Sequence, residues 1–324
     1  MVLLIRRWVL LSGVCLFVGN ALLAQEKDGN EAAFRRGTGE AYVDPFIGTA
    51  KSDVYTKWGN EGGTYPGAVA PWGYLQLTPE TRAVGGYDYT DSTICYFSCV
   101  HHMSGYPGGS QGRIRVMPVG GGAGSAGTAG GAGNVGAAGD AWSGGAVGDA
   151  RPFRHQDEKA SPGYYRVRFS DDHVLVEATA SERVGMFRFT FPRGVAPAIF
   201  VGGIGKITRK SSRELQGGDL PAVLLFSGPV TGETAAAGGS VLGFSASATG
   251  PTVIVLAISV SPVGVESAEK NIIASERLAI GAAGVASVAG GVGMAGASLP
   301  DFDRVKKETQ DKWRKGLEIG RAHV

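Results

Sequence analysis

Between residues 163 and 191, hydrophobic and polar side chains alternate with a period of two, three times over. Tyr165, Val167 and Phe169 alternate with Arg166 and Arg168. Val174, Val176 and Ala178 alternate with Leu175, Glu177 and Thr179, and Phe187, Phe189 and Phe191 with Arg188 and Thr190. Successive side chains of a strand point to opposite faces, so this pattern predicts antiparallel strands with one buried face. Pro162-Gly163 and Asp171-Asp172 supply turns. Further strands are expected over 198–201, 222–226 and 253–260. The last is an almost continuous apolar run, as in a strand covered on both faces. Helical spacing replaces the period of two in two places. Residues 266–277 read as a helix. Phe302, Val305, Thr309, Trp313 and Leu317 share one helical face with charges opposite. Ser298, with Asp301 three residues on, reads as the cap that starts this second helix. The fold class predicted is all-β: a large antiparallel β-sandwich with few helices and a C-terminal linker helix over 301–317.

Two tracts break the pattern. Residues 120–150 hold 13 Gly and 9 Ala among 31 positions. That leaves too little apolar surface to offset the backbone entropy lost on ordering, so a disordered insertion is expected. Residues 280–297 form a second Gly/Ala/Val tract, read as a loop. The 31 basic against 29 acidic residues give a net charge of +2 with no basic cluster, which argues against nucleic-acid binding.

The N-terminus reads as a signal peptide over 1–24: Arg6 and Arg7, an apolar run over 8–23, then cleavage after Ala24. The apolar run is short for a membrane span, so no stable membrane anchor is expected, and the location implied is secreted or periplasmic. Residues 25–40 read as a flexible lead. Cys95 and Cys99 remain in the mature chain. Their spacing on one extended strand exceeds bridging range, so both are expected as buried thiols. Residues 318–324 resemble a translated sequencing adapter and are read as an artefact, which makes the gene model look truncated.

The densest chemical signal is Glu61-Gly-Gly-Thr-Tyr-Pro-Gly-Ala-Val-Ala-Pro-Trp-Gly-Tyr-Leu-Gln-Leu-Thr-Pro-Glu-Thr81. Prolines fix φ and remove donors, while glycines permit close backbone approach. A loop of this kind presents flat aromatic faces and bare amides, which suits a sugar ring. Upstream stands Tyr42-Val-Asp-Pro-Phe-Ile-Gly-Thr49. Downstream stand Gly86-Tyr-Asp-Tyr-Thr-Asp-Ser92, Phe97-Ser-Cys-Val-His-His-Met-Ser-Gly105, Asp157-Glu-Lys-Ala-Ser-Pro-Gly-Tyr-Tyr165 and Ala180-Ser-Glu-Arg-Val-Gly-Met-Phe187.

In this order the motifs resemble the N-terminal domain of glycoside hydrolase family 92, from about Tyr42 to Trp313. The resemblance implies a galactose-mutarotase-like super-sandwich over 41–300. It also implies a parent enzyme that is a calcium-dependent, inverting exo-α-mannosidase acting on mannose-containing glycans. Inverting hydrolysis places two carboxylic acids about 6.5–9.5 Å apart. Asp44, Glu61, Glu80, Asp88 and Asp91 are the carboxylates near the motifs. The resemblance, however, places the acid, the base and the calcium ligands in a C-terminal helical catalytic domain that this chain lacks. No catalytic or metal-binding residue is therefore assigned, and the chain alone is expected to be inactive.

What the resemblance leaves here is the face that closes over the substrate: Trp58, Glu61, Gly62, Tyr65, Gly67 and His102. Arg82-Ala-Val-Gly stands where the family often carries a further tryptophan. Trp72, between Pro71 and Gly73, reads as a core residue. His155 and His173 read as surface or turn residues, Asp88 and Asp91 as turn caps, and Glu182 with Arg183 as an internal ion pair. A free-standing carbohydrate-binding β-sandwich is the alternative function.

Overall fold

The computed structural model describes residues 39–50, 64–81, 86–100, 113–119, 150–277 and 299–318. Asp44–Trp313 form one compact unit, built on two antiparallel sheets. The first has seven strands, in the order β1 (Ala68–Val69), β2 (Gln76–Glu80), β4 (Tyr96–Val100), β5 (Arg113–Val119), β10 (Ala198–Gly202), β15 (Gly239–Phe244) and β14 (Val230–Ala236). The second has nine, in the order β11 (Ile207–Arg209), β12 (Glu214–Gly217), β13 (Ala222–Phe226), β16 (Thr252–Val260), β9 (Val184–Phe191), β8 (Leu175–Ala180), β7 (Tyr164–Phe169), β6 (Arg151–Ser161) and β3 (Thr93–Ile94). The alternating segments of the sequence are β7, β8 and β9, paired in succession. The all-β sandwich expected from the pattern is the fold observed.

The core lies between the sheets. Phe97 of the first sheet meets Phe187 of the second, with ring centroids 5.8 Å apart, and both are fully buried. Each such phenylalanine contributes roughly 1.5–3 kcal/mol by leaving water. Two helices among the described residues, α1 (Val265–Arg277) and α2 (Phe302–Glu318), cover the outer face of the nine-stranded sheet. Ala268, Ile272, Phe302 and Val305 pack there against Val184, Met186, Leu225 and Ala257. This second layer explains the apolar run of β16: its C-terminal half is buried on both faces.

Helix α2 is capped by Asp301, whose carboxylate accepts the Arg304 amide at 2.7 Å. The cap expected at Ser298 lies outside the described residues, and the helix begins one turn later than that serine implied. Phe302, Val305 and Thr309 are buried on the predicted face. Thr309 donates its hydroxyl to the Ala180 carbonyl at 2.7 Å, and the Trp313 indole donates to the Val69 carbonyl at 2.7 Å. Glu182 does not pair with Arg183 as expected. Its carboxylate takes the Lys312 ammonium at 2.6 Å, because α2 brings a flexible cation directly over the β8–β9 turn.

The described residues 39–43 and 314–318 belong to a second, smaller unit. In it, Gly39–Tyr42 make a 3-10 turn, and Glu40 pairs with Arg314 at 3.4 Å. Cys95 and Cys99 form no disulfide; Cys99 is buried as expected, and complete burial pushes its thiol up, whereas Cys95 is only half-buried. The segments read as a signal peptide and as a flexible lead up to residue 38, the tract over 120–149, the tract over 280–297 and residues 319–324 lie outside the described residues. Among the described residues no helix is long and apolar enough to cross a membrane.

Candidate functional site

The proline- and glycine-rich segment folds as a β1–β2 hairpin preceded by an anchored loop. Ala68 pairs with Leu77 and Val69 with Gln76. Gly67 sits so close to β2 that a Cβ on it would lie 2.4 Å from the Leu77 carbonyl oxygen and 2.9 Å from the Tyr65 ring. Only glycine allows this approach. Tyr65 donates its hydroxyl to Gln76 Oε1 at 2.6 Å. Burial, together with the nearby Glu80 charge, pushes its pKa up to about 12. At neutral pH Tyr65 is therefore a protonated donor rather than a base. Thr64 ties the loop to the upstream motif through the Gly48 and Ile47 carbonyls.

At the hairpin tip, the Gly73 amide closes a turn onto the Ala70 carbonyl at 2.9 Å. Trp72 occupies this turn with φ 58° and is 100% exposed. The expectation that it packs in the core is wrong. The turn points its side chain outward, and Tyr74 beyond it is also half in solvent. The Tyr74 amide donates to the Glu182 carbonyl at 2.8 Å, so the tip is fastened to the β8–β9 turn.

Three separated motifs meet at a buried carboxylate. Glu158, on β6, accepts hydroxyls from Tyr87 at 2.9 Å and Tyr165 at 2.5 Å, and contacts His155 Nδ1 at 2.8 Å. The His155 ring stacks on Tyr89 at 3.9 Å, and Phe46 meets Tyr89 edge-on at 5.6 Å. The Tyr89 amide donates to the Thr49 carbonyl at 3.0 Å. Burial first, and the Glu158 charge second, push the phenol of Tyr87 far up, and the same causes act on Tyr165. Both tyrosines stay neutral donors, so Glu158 works as an internal anchor for the upstream and Gly-Tyr-Asp-Tyr loops. His155, expected at the surface, is a half-buried member of this cluster. His173 is exposed in a turn at φ 60°, as expected.

Neither this cluster nor its centre is visible from residue types alone. The alternation of β6 is broken by a register shift between Phe153 and Glu158, which carries the glutamate inward. The signal that could have found it is the Asp157-to-Tyr165 motif itself, which places an acid and two tyrosines across one tight turn.

Of the predicted substrate-binding residues, Tyr65 and Gly67 stand side by side at the base of the hairpin. Trp58, Glu61, Gly62 and His102 lie outside the described residues. Three of the carboxylates near the motifs, Asp44, Glu80 and Asp88, hold backbone or side chains in place. Asp44 accepts the Phe46 amide at 2.9 Å, and Asp88 caps its turn through the Thr90 amide at 2.8 Å. Glu80 is buried and accepts the Ser98 hydroxyl. Among the described residues no group of three or more His, Cys, Asp or Glu side chains could hold a metal ion.

Residues 42–223, over half the chain, match the family model described as the glycosyl hydrolase family 92 N-terminal domain. Comparison with curated proteins gives no significant match. Among solved structures, the chain is similar to a family GH92 inverting mannosidase from Bacteroides thetaiotaomicron, with TM-score 0.59 and 19% identity. That match covers 86% of this chain and 36% of the other. It is also similar to a family GH92 α-mannosidase from the same organism, with TM-score 0.61 and 20% identity over 86% and 37% of the two chains. The latter enzyme is also known in complex with mannoimidazole, and in that form gives TM-score 0.60 and 19% identity over 86% and 37%. The chain thus spans little more than a third of the length of these relatives.

Proposed function

Because the chain belongs to glycoside hydrolase family 92, as its N-terminal domain, we propose that it is the N-terminal part of a secreted or periplasmic α-mannosidase. The parent removes terminal α-linked mannose from glycans with inversion. The observation that carries this reading is the match over residues 42–223, supported by the sandwich shared with mannosidases of that family. The catalytic acid and base, and the bound calcium, belong to a further domain of the parent. The part played by this chain is to present the hairpin loop, with Tyr65 as a neutral donor, to the closed pocket. Trp58, Glu61, Gly62 and His102 complete that face.

The test compares the chain alone with a parent polypeptide that carries the C-terminal domain, using an aryl α-mannoside. The parent turns over, and proton NMR of the first product shows β-mannose. The chain alone releases no aryl alcohol. Turnover by the pure chain overturns the division of labour, and α-mannose as first product overturns inversion.

A further inference from the structure

A tryptophan that is 100% exposed and held at φ 58° is an expensive arrangement. The left-handed region is unfavourable for an L-residue, and glycine is the usual occupant of such a turn position. The turn around Trp72 is nevertheless fixed: Gly73 closes onto Ala70 and Tyr74 onto Glu182, each by a backbone hydrogen bond. Observed backbone strain in an ordered loop points to a use for the side chain it displays.

The surroundings define what that use is. Beside the hairpin tip, the turn at Ser181, Glu182 and Arg183 opens into a cleft of about 280 Å³, lined further by Asn271, Ala274, Ser275, Val305, Glu308 and Lys312. The cleft therefore offers two carboxylates, two cations, an amide and hydroxyls, and the Tyr74–Glu182 backbone hydrogen bond joins its rim to the hairpin that carries Trp72. A packed protein partner would need about 800 Å² of surface on this side, with charges kept out of its centre. One tryptophan supplies roughly 150–250 Å², and the cleft beside the hairpin is lined by the charged Glu182, Arg183, Glu308 and Lys312. A pyranose ring fits the same elements well. Its apolar C–H face stacks on an indole, and its hydroxyls take both donors and acceptors at the rim.

We propose that Trp72, with the Glu182–Arg183 turn and its cleft, is a carbohydrate-binding platform that takes one ring of an extended glycan. The inference rests on the glycan substrate class proposed above. Trp72 supplies the stacking face, Tyr74 stiffens the tip, and the Glu182–Lys312 pair orients the ring hydroxyls.

Affinity electrophoresis of the chain through gels containing soluble α-mannan tests this, with a gel free of polysaccharide as reference. The wild-type chain is retarded, Trp72→Ala loses at least tenfold in apparent affinity, and Trp72→Tyr retains most of it. Circular dichroism confirms that the variants remain folded. No retardation of the wild type, or equal retardation of Trp72→Ala, overturns the platform. If Trp72→Ala binds mannan normally but lowers the melting temperature of the full-length parent, the indole is a packing contact with the rest of the polypeptide, and the platform is refuted. Failure of the parent to hydrolyse an aryl α-mannoside would sink the proposed function alone, because mannan retardation reads binding by this chain directly.

Discussion

Two aromatic regions drawn from the same set of motifs end in opposite environments. Around Glu158, the rings of Tyr87 and Tyr165 are buried and every hydroxyl is committed to one carboxylate. At the hairpin tip, Trp72 stands wholly in water on a turn that tryptophan does not favour. The first region spends its chemistry on holding two loops together. The second is held in place by backbone hydrogen bonds, so its side chain is left available. Aromatic richness alone therefore does not locate a binding surface. What separates the two is where the polar atoms go.

This contrast breaks most sharply at Glu158. Replacing it with Ala leaves two buried tyrosine hydroxyls without their acceptor, and removing one partner of a buried polar network costs several kcal/mol. The expected loss is about 3–5 kcal/mol, read as a fall in Tm on the order of 10 °C. A Tm within about 2 °C of wild type would refute the anchoring role.

Tyr65 gives the next effect. Its folded pKa of about 12 lies above the ordinary phenol value of 10.0. The folded state therefore holds this proton more tightly than the unfolded state does. The stabilisation is fully present below pH 10 and is lost as pH rises from about 10 to 12, with an upper bound of about 3 kcal/mol. Phenolate absorbance should show a late-titrating tyrosine that Tyr65→Phe removes.

Gly67→Ala presses a methyl group onto the Leu77 carbonyl. The hairpin backbone cannot yield as a side chain would, and a cost of about 1–3 kcal/mol is expected in chemical denaturation.

The smallest effect has the opposite sign. Trp72→Gly relieves the left-handed backbone while losing no packing, so stability rises by up to about 1 kcal/mol, less whatever the added freedom of the unfolded chain removes. A clear loss of stability would show that the indole is packed after all.

The sequence told much of the fold because the period of two survives wherever one face meets the core. β7, β8 and β9 were legible for that reason, and so was α2, whose buried residues recur at helical spacing. The near-continuous apolar β16, read as doubly covered, is so only over its C-terminal half, since Val253 near its start is exposed. Three features resisted. The β6 register shift turned Glu158 inward against the local alternation. Lys312 reached Glu182 from 130 residues away, a pairing that spacing cannot suggest. The backbone of Trp72 adopted a sign of φ that composition argued against, and this put a presumed core residue into solvent. At the candidate site, the closeness of Gly67 to β2 followed from its residue type, whereas the partner of Tyr65 depended on hairpin register.

The edges of the two sheets carry a consequence for how copies of the molecule meet during synthesis and storage. β1, β3 and β11 are two or three residues long and offer almost no template to a foreign strand. β14 is different: seven residues, mostly exposed, with an open hydrogen-bonding rim. It is interrupted by a register irregularity between Val230 and Gly232 and carries Glu233, paired with Arg209. A kinked, charged rim resists edge-to-edge growth. Among the described edges, colloidal behaviour at high concentration thus turns on this one strand, far in sequence from the hairpin that carries Tyr65 and Gly67.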